Sequence, residues 1–103
     1  MKLLIYCFDI DGTLCTQTNG RYEEAEPFVD RIAAVNALYE KGHTIKLFTA
    51  RGTVTGIDWR ALTERQLAEW QIKYHQLLFG KPEADVFIDD RALNADAWTW
   101  TNQ

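Results

Sequence analysis

Two carboxylates separated by one residue, Asp9 and Asp11, follow the apolar run Leu3-Leu4-Ile5-Tyr6-Cys7-Phe8 and so stand where a buried strand comes to its end. Alternation along an extended chain sends both to one side and turns Ile10 toward the core between them. Gly12 then lets the backbone turn sharply. Neighbouring carboxylates repel unless a cation joins them, and an all-oxygen site of this kind suits Mg²⁺. Phosphoryl-transfer chemistry fits such a place. A specified D-x-D-G-T arises by accident in a chain this long with a chance of about one in a thousand, so the stretch is read as signal. A calcium loop of the EF-hand kind would need Gly at its sixth position and Glu at its twelfth. Counted from Asp9, the chain has Leu14 and Gly20 there, and that reading fails.

Elements further along the chain must bring partners to this pair. Residues Gly12 to Tyr22 lack a sustained apolar period and read as a loop or small flap over the carboxylates. Glu26-Pro27 opens a helix, with Pro27 in its first turn, Phe28, Ile32, Val35 and Leu38 as one stripe, and Gly42 as the stop. Thr44 to Phe48 is a second strand, ending at Thr49-Ala50-Arg51-Gly52. Asp58 caps a helix from about Trp59 to Trp70, with Leu62, Gln66/Leu67 and Trp70 near helical spacing. A short strand spans Gln76 to Phe79 before Gly80-Lys81-Pro82, and Asp85-Val86-Phe87-Ile88 reads as another, leading into Asp89-Asp90. Alternating strands and helices imply right-handed crossovers and an α/β fold, a three-layer, Rossmann-like, mostly parallel sheet. Ligands in such sheets bind at the carboxyl ends of the strands. Asp9, Asp11, Thr49, Lys81, Asp89 and Asp90 all fall at or just beyond expected strand ends.

With 103 residues the chain reads as one domain, 1–103, without room for a cap domain. Apolar residues make up 47% and charged residues 25%, and no apolar run approaches the roughly 20 residues of a membrane span. A cleavable signal peptide at the N-terminus would remove the acidic motif, so a cytoplasmic location without membrane association is expected. A net charge of −4 with no Lys/Arg stripe argues against nucleic acid as a partner. A small anionic substrate fits if a metal and a few placed cations supply local positive charge.

The residues resemble the haloacid dehalogenase superfamily of aspartate-nucleophile phosphatases. Asp9 to Thr13 matches its first motif, Leu47-Phe48-Thr49 its second, Lys81 with Pro82 its third, and Ile88-Asp89-Asp90 its fourth, in the family's order. Thr49 to Gly52, Gly56-Ile57-Asp58-Trp59-Arg60 and Gly80-Lys81-Pro82 look like the small capless members associated with capsule and surface-polysaccharide biosynthesis. The resemblance implies a Mg²⁺-dependent phosphomonoesterase acting on a small sugar phosphate or related phosphorylated metabolite. In it, Asp9 attacks phosphorus and forms an aspartyl-phosphate, while Asp11 protonates the leaving alcohol and later deprotonates the hydrolytic water. Mg²⁺ would bind the Asp9 carboxylate, the Asp11 carbonyl and Asp89, with Asp90 adjacent or exchanging roles with Asp89. Thr49 and Lys81 would bind the transferring phosphoryl group. Arg51 is near enough in sequence to reach a substrate oxygen with its planar fork.

Two other functions use similar parts. A receiver-like phospho-acceptor module also combines acidic residues, Mg²⁺, Thr and Lys, but carries its acidic pair first and its acceptor later, the reverse of the order here. A phosphotransferase or mutase shares the first half-reaction and returns the phosphoryl group to an acceptor other than water. An uncapped site further implies homo-oligomerisation, with Trp59, Trp70, Trp98 or Trp100 as contacts. Thr16 to Tyr22 are additional specificity candidates. Cys7 is expected in the core and Cys15 partly exposed in the turn, neither as a nucleophile. His43 and His75 lack partners at ligand spacing and read as structural, and Trp98-Thr99-Trp100 reads as packing.

Overall fold

The apolar run near the N-terminus becomes strand β1 (Ile5–Phe8) in the computed structural model, which describes residues 1–101 and 103. Helix α1 (Val29–Glu40), strand β2 (Thr44–Thr49), helix α2 (Arg60–Glu69) and strand β3 (Gln76–Phe79) follow. The three strands form a parallel sheet in the order β1-β2-β3, with Phe8 level with Leu47 and Thr49 level with Phe79. This register brings the carboxyl ends of all three strands to one edge. Asp9 directly follows β1, while Arg51 and Lys81 each lie two residues beyond β2 and β3. The expected α/β class is therefore present, and the described residues include no separate cap.

Side-chain alternation determines which residues form the core. Phe8, Ile45 and Leu47 are buried and pack with Ile32, Val35 and Leu38 of α1 and Leu67 of α2. Ile5 and Cys7, on the other side of β1, are exposed. Trp98 and Trp100 return to this core at the C-terminus, with ring centroids 5.9 and 5.7 Å from that of Phe8. The indole N–H of Trp100 donates to the Ala95 carbonyl at 2.7 Å, so the polar edge of that ring is satisfied. The expected packing role of the aromatic tail is what these contacts describe.

Several boundaries differ from the sequence reading for identifiable reasons. Helix α1 starts after Phe28 and not at Pro27, because the backbone at Phe28 is still extended and its N–H donates to the Leu14 carbonyl at 2.9 Å. Helix α2 starts at Arg60, whose N–H donates to the Asp58 side chain at 3.0 Å, so the anticipated cap acts from one residue further back. Asp85 to Ile88 is not a strand: it pairs with no ladder, and Ile88 is 95% exposed. β-Propensity reflects packing on a pleated surface, and without a strand partner it does not fix conformation. The two cysteines exchange their expected environments. Strand period places Cys7 on the exposed face, while Cys15 follows Leu14 inward and is fully buried.

Candidate functional site

Gly12 adopts φ +81° and its N–H donates to the Cys15 carbonyl at 2.8 Å, while the N–H groups of Thr13 and Leu14 converge on the Ile10 carbonyl at 3.1 and 2.8 Å. This tight turn follows directly from β1 and fixes both acidic residues. Ile10 is fully buried between them, as alternation predicts. The two carboxylates have different partners. Asp9 is 30% exposed; its Oδ1 lies 3.2 Å from Lys81 Nζ and its Oδ2 accepts from the Thr13 hydroxyl at 3.1 Å.

Asp11 faces inward. Arg51 Nε and Nη2 each donate to it at 2.9 Å, one to each oxygen, and the Cys15 thiol lies 3.5 Å from Oδ1. The remaining donors of Arg51 are also engaged: Nη1 binds Thr63 Oγ1 at 3.1 Å and Gln66 Oε1 at 2.6 Å, and Nη2 also faces Cys15 Sγ at 4.0 Å. A guanidinium has five N–H groups, and each has a partner within the protein. Arg51, 2% exposed, is therefore the clamp on Asp11 and has no N–H left for a substrate oxygen, in contrast to the sequence expectation. Burial opposes its charge, but the hydrogen bonds and charge of Asp11 outweigh burial and hold Arg51 above the ordinary guanidinium range. Burial, followed by the nearby Asp11 charge, pushes the Cys15 thiol up to about 12, with Arg51 opposing. Removing one partner of such a buried pair costs about 3–5 kcal/mol.

Thr49 is buried at the end of β2. Its Oγ1 accepts the Arg51 N–H at 3.1 Å and its carbonyl accepts the Lys81 N–H at 3.1 Å. The Thr49 hydroxyl proton is thus left to donate. Thr53 Oγ1 donates to the Lys81 carbonyl at 2.8 Å, fixing the base of the lysine whose ammonium meets Asp9. Asp9, Thr49 and Lys81 accordingly share one edge, with Asp11 beside them in the grip of Arg51. Thr63, Gln66 and Cys15 complete the Arg51 socket, and the sequence reading did not assign them to the site. The available signal was Gln66, a polar residue inside the apolar stripe of α2.

Asp89 and Asp90 are not gathered with Asp9 and Asp11. Asp89 accepts the Arg91 N–H at 2.7 Å, Asp90 lies 3.9 Å from Arg91, and both are exposed. Among the described residues, no three His, Cys, Asp or Glu side chains form a group able to hold a metal ion. With Asp9 paired to Lys81 and Asp11 to Arg51, the donor set as arranged does not fit the expected cation. The physical reason is the missing strand at Asp85 to Ile88, which would have delivered the late acidic pair to the sheet edge. Its chain still passes close by, since the Phe87 ring lies 4.8 Å from Lys81 Nζ. The two histidines have structural roles: Nδ1 of His43 accepts the Leu4 N–H and Nδ1 of His75 accepts the Ile45 N–H, both at 3.0 Å.

No protein-family model and no curated protein sequence matches the chain. Among solved structures, it is similar to a crystal structure of an MCSG target from Vibrio cholerae, with a TM-score of 0.82 and 27% identity over 91% of this chain and 85% of that one. It is also similar to part of a structure of the Pnkp1/Rnl/Hen1 complex, with a TM-score of 0.59 and 26% identity over 85% of this chain. A structure of the Pnkp1/Rnl/Hen1 RNA repair complex gives a TM-score of 0.58 and 28% identity over 75% of this chain. The chain spans 30% and 25% of those two larger chains. These likenesses are compatible with a haloacid dehalogenase-like α/β fold.

Proposed function

We propose that this chain is a capless phosphomonoesterase of the haloacid dehalogenase type, acting on a small phosphorylated metabolite through an aspartyl-phosphate on Asp9. The observation that carries the reading is the placement of Asp9 at the end of β1, part-exposed, with the Lys81 ammonium 3.2 Å away and the Thr49 hydroxyl proton uncommitted on the neighbouring strand. An Asp9 oxygen attacks phosphorus as the ester P–O bond breaks, and the alcohol departs with a proton that Asp11 supplies and later regains from the hydrolytic water. Water then attacks the same phosphorus, releasing inorganic phosphate and restoring the carboxylate. Lys81 offsets charge on Asp9 and on the phosphoryl oxygens, and Thr49 donates to one of those oxygens. Both oxygens of Asp11 accept hydrogen bonds from Arg51, so taking a proton from water requires that grip to open on one oxygen. Giving one to a leaving alcohol needs the same opening.

The Mg²⁺ requirement belongs to the same reading and rests on the motif order alone: it needs Asp89 or Asp90 to reach Asp9, which the arrangement described above does not provide. The narrower sugar-phosphate reading rests on the segments Thr49 to Gly52 and Gly56 to Arg60. Release of phosphate from an aryl phosphate is expected to need added Mg²⁺, to stop with a chelator, and to fall at least about a thousandfold in Asp9→Asn. Full activity of purified Asp9→Asn would remove the nucleophile and the reading with it. A stable phosphorylated protein without phosphate release would point instead to a receiver-like module.

A further inference from the structure

Helix α1 begins beside the acidic turn, and Arg31 in its first turn reaches across to it. Its Nη1 donates to the Thr13 carbonyl at 3.2 Å. The Thr13 hydroxyl donates to Asp9 Oδ2 at 3.1 Å, so a single residue stands between Arg31 and the proposed nucleophile. The far side of the guanidinium is held by the C-terminal segment: Nη2 donates to Asp96 Oδ1 at 2.8 Å, and Cζ lies 5.0 Å from the Trp100 ring centroid and 5.2 Å from that of Phe28. A planar fork presents fixed donors in two directions at once, which a single ammonium does not.

The same C-terminal segment grips the other flank of Asp9. Trp98 and Trp100 pack on Phe8, the residue that precedes it. Asn94 shapes the segment: its carbonyl accepts the Ala97 and Trp98 N–H groups at 3.1 and 3.0 Å, and its Oδ1 accepts the Asp96 N–H at 2.9 Å. This segment therefore braces the chain before Asp9 through two indoles and the chain after it through Arg31. Relative magnitudes separate geometry from stability. Asp96 is 83% exposed and Arg31 20%, and an ion pair with one partner in solvent contributes little to folding. A carboxylate that must attack in line, by contrast, loses rate steeply when it is displaced. We propose that Arg31 is a positioning residue, through which the segment Asp96 to Trp100 fixes the Asp9 carboxylate at the sheet edge. The inference rests on the hydrolase reading above and adds the C-terminal segment to the parts that set the geometry of the site.

The test measures hydrolysis of 4-nitrophenyl phosphate with Mg²⁺ and, separately, amide exchange at Thr13 and Leu14, whose N–H groups close the acidic turn. Arg31→Ala should lower kcat by about ten- to a hundredfold while KM stays within about threefold, and exchange at both amides should quicken. Arg31→Lys, which keeps one charged donor, should recover part of kcat. Asp96→Ala should lower kcat at least about threefold with an unchanged urea midpoint, and it decides the matter if Arg31→Ala does not fold. Thr13→Val removes the next link, so adding it to Arg31→Ala should cost far less than the product of the two separate losses. Arg65→Ala, which breaks an exposed pair with Glu69 on α2, should change neither readout. Wild-type kcat and exchange in Arg31→Ala and Asp96→Ala, or losses that multiply in the double variant, would overturn the inference while leaving the hydrolase reading in place. If the wild-type chain releases no phosphate, the hydrolase reading falls. Quickened exchange in Arg31→Ala would then still support the brace on Asp9, and unchanged exchange would remove it as well.

Discussion

Burial of Cys15 beside Asp11 makes one thiol sensitive to pH through folding. Its folded value of about 12 lies above the ordinary 9.0, so the neutral thiol is the form the fold accommodates. Its contribution is fully present below pH 9 and is lost as pH rises toward 12, and a gap of that size corresponds to about 4 kcal/mol. Urea unfolding between pH 8 and about 10.5 should show stability falling more steeply in the wild type than in Cys15→Ala. Parallel slopes would contradict the assignment. Asp9, Thr49 and Lys81 could be picked out from the sequence because each stands at a strand end, and the sheet register brings strand ends together. The role of Arg51 could not be read in the same way. Its partners Thr63 and Gln66 lie 12 and 15 residues away, and only the docking of α2 shows that they occupy its N–H groups before any substrate could.

At the level of elements, the turn between β2 and α2 carries the tightest constraint. Gly52 has φ +81°, and a Cβ built there would strike the Ile57 carbonyl, which is backbone and cannot rotate away. Gly52→Ala is therefore expected to cost about 2–3 kcal/mol, read as a lower urea midpoint with an unchanged m-value. Wild-type stability in that variant would mean that the turn relaxes freely. β1, α1, β2 and β3 were legible in the sequence to within about two residues because apolar period and breakers agree there. Asp85 to Ile88 has the composition of a strand and is not one. Composition states what a segment would suit, whereas a ladder also requires a neighbour, and no local signal reports that neighbour. The acidic residues beyond it shift with it, which is why the late pair was misplaced when read from sequence.

For the whole molecule, the question is what covers the sheet edge. Asp9 and Lys81 are 30% and 23% exposed, with the Phe87 ring 4.8 Å from the lysine ammonium. The four tryptophans expected at a subunit contact are all engaged internally: Trp59 against Tyr22, Trp98 and Trp100 against Phe8, and Trp70 on the core. All four are half-buried, so part of each ring still faces solvent. Sedimentation velocity at micromolar protein is expected to show a dimer or larger species, and monomer alone would leave the substrate as the only cover of the site. No helix among the described residues is long and apolar enough to cross a membrane.

A single guanidinium, on the turn after the second strand, bonds Asp11, 40 positions before it, and Thr63 and Gln66 of the second helix, 12 and 15 positions after it. If Asp11 leaves, the guanidinium charge is stranded in a water-poor interior, and if the helix leaves, one of its nitrogens loses both acceptors, so fraying on one side weakens the other. In amide exchange the two are expected to open together as one foldon, with the carboxylate pair losing its alignment as that helix opens.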